Sequence, residues 1–378
     1  MTKTVKHDTL MATLQSQYPG KVMWASEIPV GDPISTGSLA LDFATGFGGF
    51  PSNRVVEVCG KEGTGKTTLA LMIMLNALER YPDRAGIFLD LEHKIDKDWL
   101  EDIVGPDMLG NRIFYIQPTS IENATNIYRD AVGTGEVCVA ILDSIGGAPT
   151  VRRNDDAESG HYGGNAIGVG EWSRAAATHA SVYNCLTVGI NQPRVDMTQR
   201  NQLNLPGGKA WSHAPVLRVE LWQGKDREMM KFPGEKNPVA VGYTVYAKIR
   251  KNQVGMPGRT AMYWFFNIPT PEHPFGIDTL DEISRLSIMT RVVQQKGGWY
   301  HHPALPIDPK GEHKVQGVGT LQQVIKDDKS FQATLVSEVM ASLKDHGAEI
   351  APISDPDAPI EELDGMTKLW LHGGAPGA

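Results

Sequence analysis

Cysteine is scarce. The chain has three in 378 residues, Cys59, Cys138 and Cys185, each inside an apolar, strand-like run. Thiols so few and so far apart give no framework for disulfides or a zinc cluster, and they read as buried free thiols of a reducing compartment. Long apolar runs are missing too. None reaches the roughly 20 residues that a membrane-spanning helix needs, and the polar first residues hold no signal-peptide core, so a soluble cytoplasmic protein is expected. An excess of positive charge is also absent: 36 Lys and Arg against 44 Asp and Glu give a formal charge of -8. That excludes an overall basic coat for nucleic acid. It leaves room for a local basic groove, because binding depends on where the charge sits. There is no internal repeat. What the chain does have is 41% hydrophobic residues, enough for one large domain with appendages or for two domains.

The stretch from Val55 to Thr68 organises the rest. Val55 to Val58 is an apolar run that reads as a buried strand, and residues 69–78 continue as a helix. Between them Gly60, Lys61, Glu62, Gly63, Thr64, Gly65, Lys66 and Thr67 fit the phosphate-loop pattern G-x-x-x-x-G-K-[ST], with Thr68 following. Gly63 and Gly65 let the backbone curl so that its N–H groups converge on an anion, at the positive end of the next helix. Lys66 can neutralise the outer phosphates of a nucleotide, and the Thr67 hydroxyl can hold Mg²⁺.

Around this stretch, Leu10, Met11 and Leu14 sit at helical spacing in a segment before Pro29. They mark either a small docked helix or an oligomerisation arm over residues 1–32 that packs on a neighbouring subunit. Strand-like runs recur at 86–90, 137–142, 186–190, 216–222, 241–249 and 262–266. The early ones alternate with helices, one of which opens on a capping box, Thr119-x-x-Glu122. The alternation predicts right-handed βαβ units and a mostly parallel sheet, and the crowded later strands predict an antiparallel edge. Residues 269–344 read as a small α+β domain, with helices at 278–287, 321–325 and 331–343 and a turn into a strand at Gly297–Tyr300. Residues 345–378 are acidic and proline-broken, a disordered tail in which Leu363, Met366, Leu369 and Trp370 could form a short docking helix.

The chemistry outside the phosphate loop lies at strand ends. An apolar run ends in Asp143, placed for Mg²⁺ once a phosphate loop lies beside it. Another ends in Asp90 and Glu92, and Glu92 is the candidate for orienting water at a γ-phosphate, the competing reading being that either acid caps the next helix. His93 reads as structural. Trp99 is either a core aromatic or a platform for adenine. Residues 150–170, with Arg152, Arg153, His161 and Tyr162, and residues 193–208, with Arg194 and Arg200, are glycine-rich or polar and lack periodicity. Such loops serve phosphate contact and base stacking, or are plain surface loops.

These residues in this order resemble the RecA family of bacterial and phage strand-exchange recombinases, over roughly residues 33–341. The resemblance is carried by Ile34–Asp42, the phosphate loop, Asp90-Leu91-Glu92-His93, Leu142-Asp143-Ser144, Gly189–Gln192, Gly207-Gly208-Lys209-Ala210, Lys251–Val254 and Gly298-Trp299-Tyr300. It implies a RecA-type ATPase core over residues 33–268, and ATP and Mg²⁺ as cofactors. Gly60 to Thr68 would hold the nucleotide, with Thr67 and Asp143 as metal residues, Glu92 as the water-activating acid, and Asp96 and Trp99 at adenine. Gln192 would sense the γ-phosphate, and Lys251 would reach a neighbour's ATP. Two DNA-binding loops follow from it: Arg152, Arg153, Tyr162 and Gly163 in the first, and Arg194, Met197, Arg200, Gly207 and Gly208 in and after the second, with Arg174 near the DNA backbone. Tyr162 would wedge between base steps. Implied partners are single-stranded DNA, homologous double-stranded DNA and further copies of the chain in a helical filament, with single-strand-binding or loader proteins as candidates.

Two departures stand out. The family's second interface lysine is Gln253 here, unless Arg250 or Arg259 replaces it, and Lys209-Ala210-Trp211-Ser212-His213 stands where the family favours Ala-Leu-Lys-Phe after the glycines. A hexameric helicase and a DNA-independent ATPase switch share the same core and are the alternative functions.

Overall fold

The computed structural model describes residues 4–149, 164–193, 205–271 and 273–350. The chain divides into a unit of residues 1–32 and a unit from Pro33 onward. The first holds helix α1 (Thr4–Gln17) and a single 3₁₀ turn at Ala25–Glu27, where Glu27 caps the Trp24 N–H. Leu10, Trp24, Ile28 and Val30 are exposed.

The second unit opens with β1 (Pro33–Ile34), α2 (Leu39–Thr45), β2 (Phe50–Pro51), β3 (Val55–Gly60) and α3 (Lys66–Arg80). It continues through β4 (Ala85–Asp90), α4 (Lys97–Val104), α5 (Pro106–Asn111), β5 (Ile113–Ile116), α6 (Ile121–Gly133), β6 (Val137–Asp143), α7 (Gly164–Tyr183), β7 (Leu186–Asn191) and α8 (Gly208–His213). Then come β8 (Leu217–Met230), β9 (Val239–Asn252), β10 (Thr260–Phe266) and β11 (Gly276–Ile277). The C-terminal part has α9 (Thr279–Met289), β12 (Gln294–Lys296), β13 (Trp299–His301), β14 (Lys314–Gln316), α10 (Val318–Asp327) and α11 (Lys329–Ile350).

One nine-stranded sheet runs β11-β10-β9-β8-β3-β7-β6-β4-β5. From β8 to β5 every pair is parallel, and from β8 to β11 every pair is antiparallel, so the sheet is mostly parallel with an antiparallel edge, as the spacing predicts. Helices cover both faces of the parallel part, and so all six residues of β3 are buried. Val56 and Val58 face α3, while Val55 packs with α6 and α7. Tyr128 of α6 and Trp172 of α7 are fully buried with ring centroids 4.9 Å apart, and the Tyr128 hydroxyl meets Thr187 of β7 at 2.8 Å. Such an edge-on pair adds about 0.5–1.5 kcal/mol beyond its buried area.

The C-terminal part docks through a buried acid. Glu282 of α9 accepts hydrogen bonds from Ser38 Oγ, Leu39 N and Ala40 N at the start of α2. Burial raises its pKa to about 7 despite Arg285 nearby and these donors.

Some local expectations fail. The cap of α6 is Ser120, whose hydroxyl accepts from Asn123 N, not Thr119; the Asn123 side chain takes the Thr119 N–H instead. β8 extends to Met230, well past 222, because β9 pairs with it along that length once β3 has ended. β5 is an edge strand with exposed Phe114 and Tyr115, so its residues carry no buried pattern to read. The α11 backbone stays helical through Ile350, past Asp345, where the tail was expected to begin. Residues 351–378 lie outside the described residues. Among the described residues no helix is long and apolar enough to cross a membrane.

Candidate active site

Parallel strands bring their C-terminal ends to one edge, and the ends of β3, β7, β6 and β4 carry the chemistry there. β3 ends at Gly60, where a Cβ would lie 2.4 Å from the Leu221 carbonyl oxygen, so only glycine fits against β8. Gly65 takes a left-handed φ of +82° that turns the chain into α3. Two of the loop's carbonyls are engaged by side chains of the chain itself. Lys61 O accepts from Thr64 Oγ1 at 2.9 Å and Lys66 Nζ at 2.7 Å, while Gly63 O accepts from Gln223 Nε2 at 2.6 Å and Tyr243 OH at 3.0 Å. The N–H groups are thereby left to converge on an anion.

The loop opens on a cleft of about 570 Å³. Glu62, Gly63, Gly65, Lys66, Thr67 and Thr68 line it with Glu92, Asp96, Trp99 and Gln192, so most of the expected nucleotide and catalytic residues share one space. Burial lowers the Lys66 pKa, against the pull of Asp143 and Glu92. Thr67 Oγ1 donates to Asp143 Oδ2 at 2.8 Å. Burial, reinforced by the charges of Glu92 and Asp90, raises the Asp143 pKa to about 6 against the Thr67 hydrogen bond and Lys66. A hydroxyl and a half-buried carboxylate side by side are hard oxygen donors that fit Mg²⁺, which commonly takes one or two protein oxygens and completes its shell with water and phosphate. Among the described residues no group of three or more His, Cys, Asp or Glu is arranged to hold a metal.

The acids after β4 divide their roles. Asp90 is buried and accepts the N–H groups of Glu92, His93, Lys94 and Ile95 and the Tyr115 hydroxyl, so it builds the turn. His93 lies within that turn at φ +55°. Glu92 is released toward the cleft, with Oε1 taking the Ser144 hydroxyl at 2.5 Å and Oε2 meeting Lys94 Nζ at 2.8 Å. Burial opposes its ionisation, but the hydrogen bonds from Lys94 and Ser144 outweigh burial and hold its carboxyl below the ordinary range. Asp96 caps α4 by accepting from Asp98 N and Trp99 N. Trp99 is half-buried, packed on the core and lining the cleft.

Sequence reasoning missed the far wall, formed by Gln223, Tyr243, Phe265, Asn267 and Phe275. Tyr243 and Phe265 are register partners on β9 and β10, a long-range pairing that no local motif announces.

A second cluster lies behind the cleft. Glu57, in the middle of β3, is fully buried and accepts from Trp211 Nε1 and Asn191 Nδ2, each at 2.7 Å, and from the Arg218 guanidinium. Asn191 also donates to Pro206 O at 2.9 Å and accepts from the Gln192 N–H, so this cluster ties Gln192 to the far end of the second loop. Gly207 caps α8 and Gly208 begins it. Lys251 lies off its own chain's cleft, with Nζ donating to Ser212 O and His213 O at the end of α8. Arg174 is exposed on α7. Arg152, Arg153, Tyr162, Gly163, Arg194, Met197 and Arg200 lie outside the described residues.

Comparison with known proteins agrees with this geometry. The family model described as the RecA N-terminal domain matches residues 20–267, which is 248 of the 378 residues. The chain is 28% identical over 335 residues to Protein RecA of Thermus thermophilus, covering 87% of this chain and 93% of that one. It is equally identical over 349 residues to Protein RecA of Wolbachia sp. subsp. Drosophila simulans, covering 91% of each, and over 311 residues to that of Thermotoga maritima, covering 78% of each.

Proposed function

The chain belongs to the RecA family, whose members are DNA-dependent ATPases of recombination and repair, and on that premise we propose that it is an ATP-driven strand-exchange recombinase. It binds single-stranded DNA as a helical filament and pairs it with homologous duplex. The observation that carries this reading is the convergence of Lys66, Thr67, Glu92 and Gln192 on one cleft, with Gln192 hydrogen-bonded into the Asn191–Pro206 link to the second loop.

Each residue then has a task. The loop N–H groups and Lys66 bind the β- and γ-phosphates of ATP, and Trp99 and Asp96 take the adenine. Thr67 and Asp143 would hold Mg²⁺, which would supply charge neutralisation to the phosphates. Glu92, kept ionised, orients the attacking water. Gln192 senses the γ-phosphate and transmits its loss through Asn191 to residues 193–208. Lys251 serves the neighbouring protomer's nucleotide, so that ATP bridges like subunits. Arg152, Arg153, Arg174, Arg194 and Arg200 neutralise the DNA backbone, Tyr162 and Met197 separate groups of bases, and pairing between strands reads the sequence.

The test is ATP turnover by the full chain with and without single-stranded DNA, joined to electron microscopy of the product. Stimulated turnover with filaments is the expected result. Closed rings that unwind duplex would replace this reading with a helicase, and turnover indifferent to DNA would replace it with an ATPase switch. Glu92→Gln keeps ATP and DNA binding and loses about 10²–10⁴-fold in turnover, the usual worth of a general base.

A further inference from the structure

A lysine outside every motif stands in the cleft. Lys94 is anchored by its backbone, whose N–H donates to Asp90 Oδ2 at 3.0 Å, while its side chain is 71% exposed and its ammonium rests 2.8 Å from Glu92 Oε2. It lines the same cleft as Lys66, Thr67 and Gln192. Glu92 thus has both oxygens engaged, one by Ser144 and one by Lys94. An acid that must orient water is better served with one oxygen released.

The charge on the phosphate side is also short. Lys66 is one cation for a triphosphate, and Gln253 replaces the second interface lysine that the family resemblance leads one to expect. The two arginines nearest to Gln253 in sequence are already engaged within the chain. Arg250 is held by Glu220 at 2.5 Å, and Arg259 lies over the Phe43 ring, 5.0 Å from its centroid, and donates to the Phe43 carbonyl.

We propose that Lys94 is a second phosphate-binding cation supplied from within the chain, resting on Glu92 until a triphosphate enters and then moving to the terminal phosphate, which releases Glu92 Oε2 to orient water. The Lys94 end of this pair lies in solvent, so the ammonium can exchange partners, and ammonium-to-phosphate hydrogen bonds in a recessed cleft are charge-assisted and strong. The long lysine stem allows the swing without backbone movement. The inference rests on the reading of this cleft as an ATP site.

The experiment compares the wild-type chain with Lys94→Ala, Lys94→Arg and Glu92→Gln, titrating each with Mg²⁺-ADP and with a non-hydrolysable Mg²⁺-ATP analogue. Lys94→Ala is expected to leave ADP affinity within about twofold and to weaken the triphosphate roughly tenfold, the scale of one charge-assisted contact, with Lys94→Arg restoring most of it. Glu92→Gln breaks the same ion pair but keeps Lys94, and so keeps the triphosphate preference. The proposal falls if Lys94→Ala retains the wild-type preference, if ADP weakens equally, or if Glu92→Gln loses the preference as fully as Lys94→Ala. A wild-type chain that binds neither nucleotide would remove the ATP reading itself and this inference with it, a result distinct from a selective failure of the Lys94 variants.

Discussion

Glu57 and Asp143 flank the same strand: they lie on β3 and β6, either side of β7. Their surroundings are opposite. Glu57 is met by a guanidinium, an indole N–H and an amide N–H, all from its own chain. Asp143 is met by the Thr67 hydroxyl with the Lys66 charge near it, and burial still raises its pKa to about 6. A buried charge needs a partner in the folded state or it costs stability. Where the chain supplies that partner, the acid holds the structure together. Where it does not, the vacancy in the charge balance is the ligand site.

The comparison breaks most readily at Arg218. Removing one member of a buried pair leaves an uncompensated charge, so Arg218→Ala is expected to lower the unfolding free energy by about 3–5 kcal/mol in a urea titration. Asp143→Asn is its counterpart. It removes a poorly neutralised charge, so stability stays within about 1 kcal/mol or rises, while Mg²⁺-dependent nucleotide binding falls at least tenfold. If Arg218→Ala cost under about 1 kcal/mol, or Asp143→Asn unfolded the chain, the two acids would not differ in kind.

Glu282 sharpens the contrast as an intermediate case: three neutral donors hydrogen-bond to it and the Arg285 charge lies near it, yet burial raises its pKa from 4.5 to about 7. The folded state therefore keeps a proton that the unfolded state releases. The stabilisation is fully present below about pH 4.5 and is lost as pH rises through about 7, a change of about 3 kcal/mol at 1.36 kcal/mol per unit. Glu282→Gln cannot titrate, so the stability gap between variant and wild type should move in the variant's favour across that window. Asp42, with a pKa raised by burial to about 6, titrates in both proteins and cancels in the difference. A gap that stays constant from pH 4.5 to 7.5 would mean that Glu282 ionises freely where it lies.

How much of this could be read beforehand follows from the range of each interaction. The phosphate loop was legible because its turn is local: left-handed glycines, a lysine and a hydroxyl at fixed offsets between a strand and a helix. Asp90 and Asp143 were legible as the ends of apolar strands, while Glu92 lies two residues past its strand, in the turn that Asp90 builds. Glu57 looked like a single polar residue in a buried run, since Trp211 and Arg218, its partners, lie 154 and 161 residues away. The aromatic wall was hidden for the same reason. Tyr243 and Phe265 meet through strand register, and alternation along each strand tells only which face a residue takes. The Thr119 misreading is one of adjacent residues: Thr119 and Ser120 are both good caps, and only the backbone decides which one the helix uses.

The smallest expected effect concerns that wall. Tyr243 OH and Gln223 Nε2 both donate to the Gly63 carbonyl, so the neutral groups of β8 and β9 hold the phosphate loop in shape before any ligand arrives. Tyr243→Phe removes one of the two donors and leaves the ring packed on Phe265, whose centroid lies 5.4 Å away. The carbonyl keeps its bond to Gln223, so no buried acceptor is orphaned and the loss is about 0.5–1 kcal/mol in nucleotide affinity, a factor of roughly two to five. Stability should move by less than about 1 kcal/mol. Gln223→Ala alone should act similarly, and the double variant should cost more than the sum, because only then is the carbonyl free to turn and offer its oxygen to the phosphates. Strict additivity in isothermal titration would mean that the loop keeps its shape without these donors, and that the cleft owes its anion preference to Lys66 and the α3 N-terminus alone.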